Sequence, residues 1–323
     1  MSKLWALRLV IKLAVVAAIV FSSPAFAVLV CTFSITDINF GSISLATGTN
    51  FDTTGTLTIN CTGGTSKSTA RVCPNLNAGS GGTTTGDPRF LLNGATQLNY
   101  NLYSNSARTT VWGSYLWGFS YTPPTIDISL NGAGKGNTSS TIFARIPSGQ
   151  AKPPGTYTST FSGGNVQIAY AQSTVGNCAT IGATNATSVA FTATTTNVAS
   201  CSVSSTAFNF GSTGVLSAAR DGSSTLTVTC DAATPYTVSL NGGTTGATDP
   251  TKRKMSRAGQ QITYGLYRDV SRTQPWGDTV GVNTASGTGT GAAQVLTVYG
   301  RAPAQATPSP GVYTDTIIAT VTY

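Results

Sequence analysis

The feature that most constrains this chain is that it runs twice through one pattern. The first copy opens at Cys31-Thr32-Phe33, passes Asn39-Phe40-Gly41 and reaches Cys61 through Leu57-Thr58-Ile59-Asn60. The second opens at Cys201-Ser202-Val203, passes Asn209-Phe210-Gly211 and reaches Cys230 through Leu226-Thr227-Val228-Thr229. Later landmarks keep step. Tyr100-Asn101-Leu102-Tyr103 and Trp112-Gly113 answer Tyr264-Gly265-Leu266-Tyr267 and Trp276-Gly277, and Arg145 before Pro154-Gly155-Thr156-Tyr157 answers Arg301 before Pro310-Gly311-Val312-Tyr313. Agreement among independent spacings means duplication, so whatever one half folds into, the other must approach.

Each half reads as strands. Leu57, Ile59 and Cys61 alternate with polar residues, as do Leu226, Val228 and Cys230, the period of a half-buried strand. Asp87-Pro88, Asp249-Pro250, Pro154-Gly155 and Pro310-Gly311 punctuate them as turns. A chain rich in Thr, Ser and Gly with only 9% charged residues suits many short strands, and its 40% hydrophobic content separates it from disordered sequence. The expected fold is all-β, two tandem immunoglobulin-like sandwiches.

The start of the chain reads as an export signal. Lys3, Arg8 and Lys12 precede the apolar run Leu13 to Phe21, and Ala25-Phe26-Ala27 offers a small-residue cleavage site. The expected division is signal peptide 1–27, a first domain 28–196 and a second domain 197–323. Cysteines of an exported chain should be oxidised. The repeat pairs Cys31 with Cys61 and Cys201 with Cys230, and Cys73 with Cys178 follows by elimination.

Absences narrow the function. The chain has no His and no Glu, so its ten acids are all Asp, and no metal, cofactor or catalytic constellation is expected. Lys252-Arg253-Lys254 reads as a solvated loop and not as a nucleic-acid patch. Gly287-Thr288-Gly289-Thr290-Gly291 lacks the Lys-Ser/Thr of a phosphate loop and reads as a flexible turn.

The copies diverge after the Pro-Gly-x-Tyr landmark. The first half continues past Cys178 into Thr187-Ser188-Val189-Ala190-Phe191-Thr192-Ala193, an alternating segment expected to be one more strand; the second ends at Tyr323 without a counterpart. A sandwich short of its last strand exposes an apolar groove and an unpaired edge, which a strand from another molecule could fill. The alternation Ile317, Ala319, Val321, Tyr323 marks where an edge is expected to pair.

Together, the signal segment, the Cys-to-Asn-Phe-Gly-to-Cys opening, the Tyr-x-Leu-Tyr and Trp-Gly block and the Pro-Gly-x-Tyr ending resemble the spore coat protein U domain. That family builds subunits of archaic, Csu-type chaperone–usher pili. The resemblance implies a second sandwich completed by donor-strand complementation. It also implies as partners a periplasmic chaperone, an outer-membrane usher and an adjacent pilin donating a strand. Shaft subunits of the family carry an extension before the first Cys, whereas only Val28-Leu29-Val30 separate the expected cleavage site from Cys31. The resemblance therefore implies a tip adhesin, exported through the periplasm to the cell-surface pilus and mediating attachment and biofilm formation.

The first half carries extra residues between its Trp and Arg landmarks, including Tyr115, Leu116, Trp117, Phe119 and Tyr121. Family tip adhesins bind hydrophobic surfaces through protruding apolar loops, so this segment is the candidate contact with an abiotic or host surface. Phe90-Leu91-Leu92 is a second candidate finger. Alternation of Trp117, Phe119 and Tyr121 would equally suit a core strand. A carbohydrate-binding fimbrial lectin, a shaft or coat subunit and an outer-membrane barrel are the rival readings.

Overall fold

The computed structural model describes residues 28–173 and 177–323; the signal segment 1–27 lies outside the described residues. Strands are the dominant regular structure of the described chain. In the first half run β1 (Val30–Ile35), β2 (Ile38–Ile43), β3 (Phe51–Thr62), β4 (Thr69–Leu76), β5 (Arg89–Asn93), β6 (Thr96–Tyr103), β7 (Ile126–Ser129), β8 (Gly136–Ile146), β9 (Gly155–Phe161) and β10 (Val166–Ser173). A one-turn helix, α1 (Cys178–Ile181), leads to β11 (Phe191–Asn197). The second half contains β12 (Cys201–Ser205), β13 (Arg220–Cys230), β14 (Pro235–Leu240), β15 (Arg253–Arg257), β16 (Gln260–Tyr267), β17 (Ala285–Thr288), β18 (Ala293–Ala302) and β19 (Ala319–Thr322).

Each half packs a large sheet against a small one. The first joins β1-β3-β8-β6-β5-β9-β11-β2 to β10-β4-β7, and the second joins β12-β13-β18-β16-β15 to β17-β14-β19. Alternation decides which side chains enter: in β3 Gly55, Leu57, Ile59 and Cys61 are buried while the Thr residues between them face outward. Each sandwich has its own apolar core, the first built from Leu57, Tyr100, Trp112 and Phe161 with their neighbours, the second from Val228, Tyr236, Tyr264 and Trp276 with theirs. Removal of such side chains from water is the main term holding each sandwich together.

The disulfides are Cys31–Cys61, Cys73–Cys178 and Cys201–Cys230. The first and third link facing residues of paired strands, β1 with β3 and β12 with β13. Each closes a loop of about 30 residues, worth roughly 3–4 kcal/mol on a chain-entropy account. Cys73–Cys178 ties α1 to β4.

The duplication extends to a buried cation that sequence reading missed. Arg253 is not part of a solvated loop; it opens β15 and is fully buried, while its neighbour Lys252 stays exposed. Its Nε donates to the Asn241 carbonyl at 2.8 Å, and its Nη2 to the carbonyls of Leu240 (3.0 Å) and Trp276 (2.8 Å). Arg89 opens β5 in the same way, with Nε on Asn77 (2.7 Å) and Nη2 on Leu76 (2.8 Å) and Trp112 (2.7 Å). A guanidinium carries five N–H donors in a fixed fork, so it can close three carbonyls of two chain segments at once. The reason for the miss is that a basic triplet looks solvated until each residue is placed in register. A second misreading concerns Gly287-Thr288, which belong to β17, paired with β14, and not to a flexible turn.

Candidate functional site

Two places depart from a closed sandwich, and the first is the aromatic loop between Trp112 and β7. Gly113 N–H donates to the Thr122 carbonyl (3.2 Å) and Ser114 N–H to that of Tyr121 (3.0 Å), folding residues 113–122 back on themselves. Only glycine fits at 113, since a Cβ there would stand 2.0 Å from the Tyr121 carbonyl oxygen. The buried Asn75 accepts from the Tyr115 N–H at 2.7 Å, and Trp117 Nε1 donates to the Tyr121 carbonyl at 2.8 Å.

The aromatic side chains divide. Trp117 and Phe119 are half-buried, edge to face at 5.4 Å, and the Arg89 guanidinium lies 4.8 Å from the Trp117 ring. Burial pulls Arg89 down to about 10, so it stays cationic at neutral pH and favours the ring face. Tyr115 (38% exposed), Leu116 (36%) and Tyr121 (36%) face solvent. Phe90-Leu91-Leu92 form no second finger. They lie in β5, where Phe90 and Leu91 are buried and Leu92 half-buried, because the strand is needed between β6 and β9. Trp112 and Trp276 are core residues with matching bonds, Trp112 Nε1 to the Pro74 carbonyl (2.8 Å) and Trp276 Nε1 to that of Val238 (2.9 Å).

The second place is the edge of the large sheet in the second half. In the first half this edge holds β9, β11 and β2. β11 runs antiparallel to β9, with Phe191 opposite Phe161, Ala193 opposite Ser159, Thr195 opposite Tyr157 and Asn197 opposite Gly155. On its other side it runs parallel to β2. Phe191, Ala193, Thr195 and Asn197 are all buried, and Phe191 stacks on Phe161 at 4.4 Å. The sequence placed this strand a few residues early, at Thr187 to Ala193; pairing begins at Phe191.

In the second half, among the described residues, none of these three strands has a regular counterpart. The segments 207–212 and 311–318, which occupy the places of β2 and β9, are irregular. One bridge survives, Ser256 with Thr314, the equivalent of Leu92 with Thr158. Between the two segments lies a groove of about 510 Å³ lined by Phe208, Phe210, Met255, Ile262, Leu216 and Tyr313, and a smaller cavity of about 170 Å³ adjoins it at Tyr264, Asp315 and Ile317. Val312 and Ile318 beside it are 80% and 60% exposed.

The predicted pairing residues divide accordingly. Ala319 and Val321 sit in β19 and pair inward with Leu240 and Val238 of β14; Ile317 lines the groove, and Tyr323 lies exposed beyond the strand. The open edge is thus the stretch just before β19. Sequence reasoning also missed two groove residues. Phe208 stands where the first half has Ile38, and Asp315 where it has Ser159; counting from Cys201 and from the Pro-Gly turn would have found both.

The junction between the halves is polar. Asn197, the last residue of β11, accepts from the Leu45 N–H (3.1 Å) and donates to the carbonyls of Lys152 (3.1 Å) and Pro153 (3.3 Å). Beside it Asp231 is buried, its N–H donating to the Ser200 carbonyl at 3.0 Å. Burial outweighs the neighbouring donors and holds the Asp231 carboxyl above the usual range. At its other end β9 runs on through 162–165, where Asn165 bonds Asn77 and Gly79 of the segment that leads to Gly86, whose backbone lies against Phe119 and Tyr121. The aromatic loop and the junction therefore lie toward opposite ends of β9.

Among known proteins, the sequence model of the spore coat protein U domain matches residues 17–163 and 187–320. Its second match begins ahead of β11, so the strand that completes the first sandwich belongs, in the family's order, to the second unit. Protein U of Myxococcus xanthus is 29% identical over 108 residues, a match spanning 32% of this chain and 60% of Protein U. The fold resembles the CsuC–CsuE chaperone–tip adhesion subunit pre-assembly complex from the archaic chaperone–usher Csu pili of Acinetobacter baumannii. That likeness has 18% identity and a TM-score of 0.53, and covers 91% of this chain and 100% of the other. A fainter likeness, at 11% identity and a TM-score of 0.37, covers 91% of this chain and 94% of the CupB6 tip adhesin of Pseudomonas aeruginosa. With both halves matched by one family model, and with that model's repeats falling on the two sandwiches, the chain belongs to the spore coat protein U domain family.

Proposed function

We propose that this chain is the tip adhesin of a chaperone–usher pilus, a non-catalytic subunit that accepts one strand from its neighbour and presents its first sandwich outward. The observation that carries this reading is the contrast at one sheet edge: β11 fills it in the first sandwich, and a groove lies open in the second. A strand from an adjacent pilin fills that groove in the assembled filament, and a periplasmic chaperone covers it until an outer-membrane usher exports the subunit. The proposed division remains 28–196 and 197–323, with β11 (Phe191–Asn197) as the strand that bridges the two. The likeness to a chaperone-bound tip subunit supports the same assignment.

In this reading Tyr115, Leu116 and Tyr121 meet the surface to which the cell attaches, an apolar abiotic or host surface. Each apolar side chain buried against such a surface contributes roughly 1.5–3 kcal/mol, and many tips together hold by avidity. The test is a chain with Tyr115→Ser, Leu116→Ser and Tyr121→Ser displayed on filaments. Attachment to polystyrene is expected to fall at least about tenfold with an unchanged melting temperature, and gold label against the chain is expected at filament ends. Undiminished attachment, or label along the whole filament, contradicts the proposal.

A further inference from the structure

Resting on the reading of the second sandwich as a strand acceptor, we infer that its groove selects the incoming strand by size at one position: the residue facing Asp315 must be small. The first sandwich supplies the template. There β11 presents Phe191, Ala193, Thr195 and Asn197 inward, and Ala193 sits between Ser159 of β9 and Ile38 of β2. In the second sandwich both neighbours of that position are larger, Asp315 for Ser159 and Phe208 for Ile38.

Neither can retreat. The Asp315 Oδ1 accepts from the Thr244 N–H (2.8 Å), the Thr244 hydroxyl (2.7 Å) and the Thr316 N–H (2.8 Å), and Oδ2 accepts from the Tyr264 hydroxyl at 2.7 Å. Gly243 lies so close behind that a Cβ there would be 2.1 Å from Oδ2. Phe208 is hemmed by the backbone of Gly222 and Gly300, where added Cβ atoms would come within 3.1 and 2.4 Å of its ring, and by Phe210 at 4.7 Å.

Burial pulls the Asp315 carboxyl up, but its donors hold it below the usual range, so it is ionised when a strand arrives. A bulky apolar side chain at the facing position would strip water from that charge, offer no donor in return and press on the Phe208 ring. Gly, Ala or Ser avoids both costs. Two residues before it the facing residue is Ile317 in place of the larger Phe161, on the cavity of about 170 Å³, which suits a large apolar side chain. The partner is therefore a strand of a second chain reading large-apolar, any, small, running antiparallel to 311–317.

The probe is a synthetic peptide of residues 187–197, which carries that pattern at Phe191 and Ala193, titrated onto the full-length chain beside the same peptide with Ala193→Leu. The parent peptide is expected to slow amide exchange across 311–317 while leaving 155–161 unchanged, and the Leu peptide to bind at least about tenfold more weakly. In an Asp315→Ser chain the difference should shrink to about threefold or less. Equal binding of the two peptides, or discrimination undiminished in Asp315→Ser, overturns the selection while leaving the acceptor reading intact. Protection by neither peptide overturns the acceptor reading and this inference with it.

Discussion

The two sandwiches differ less in their cores than in one strand. Both bury a Trp that donates to a carbonyl 38 residues earlier, and both bury an Arg that closes the same three carbonyls. Both also pair an Asp with two Arg, Asp52 with Arg145 and Arg108, Asp221 with Arg301 and Arg272. Yet with β11 present the edge segments are the strands β2 and β9, and without it the matching segments are irregular. Strand conformation at this edge thus follows pairing, since both segments keep the Pro-Gly-x-Tyr-Thr-x-Thr pattern and both Tyr157 and Tyr313 bond the carbonyl four residues before them.

The largest effect should come from moving the strand. Appending a flexible linker and residues 187–197 after Tyr323 should turn the second sandwich into a copy of the first, raising its melting temperature by roughly 10 °C or more in calorimetry. Deleting the same residues from their native place should leave the first sandwich aggregation-prone. A second sandwich that melts no higher with the strand attached would mean it is already closed.

Next in size is the buried Arg. Replacing Arg89 with Met takes a donor from three carbonyls and from Asn101, whose oxygen keeps the Leu102 N–H, and the cation from the Trp117 ring, and should cost about 3–4 kcal/mol by denaturant unfolding. Arg253→Met should cost less, because Arg253 has no aromatic partner among the described residues and lies in the sandwich that is already open. Equal costs would show that the loop contact contributes nothing.

Much of this was legible in sequence because the repeat fixes spacing. Strand alternation, the core Trp residues and the divergence after the Pro-Gly turn all follow from residue order. Burial of individual polar residues did not, since it depends on which strand lies across the sheet. Arg253 looks like one of three solvated cations until Arg89 is set beside it, eleven residues before the Tyr and 23 before the Trp in both halves. Phe90-Leu91-Leu92 looks like a finger after a turn, yet becomes β5 because β9 pairs alongside. The aromatic loop was half legible: its position followed from the insertion, but the turning inward of Trp117 and Phe119 depends on Arg89 and Gly86.

The smallest expected effect is electrostatic. Arg145 holds the Asp52 carboxyl below its ordinary range, as Arg301 does for Asp221. Their stabilisation is present above about pH 4 and is lost as pH falls through the depressed values. Both are more than a third exposed, so each contributes no more than about 1 kcal/mol. Asp231 has the opposite sign: its raised value means stability present below about pH 4 and lost as pH rises through the folded-state value. Asp231→Asn should therefore hold or raise the melting temperature at neutral pH, while Asp52→Asn and Asp221→Asn lower it slightly. A clear loss in Asp231→Asn would show that its charge holds the junction together.

The central claim, that the second sandwich lacks one strand and waits for it, is tested most directly by amide hydrogen exchange on the purified chain, comparing 155–161 with 311–317. Strong protection of 155–161 beside fast exchange of 311–317 is the predicted result. Equal, strong protection of both segments would mean that the second sandwich closes on itself, and would contradict the account.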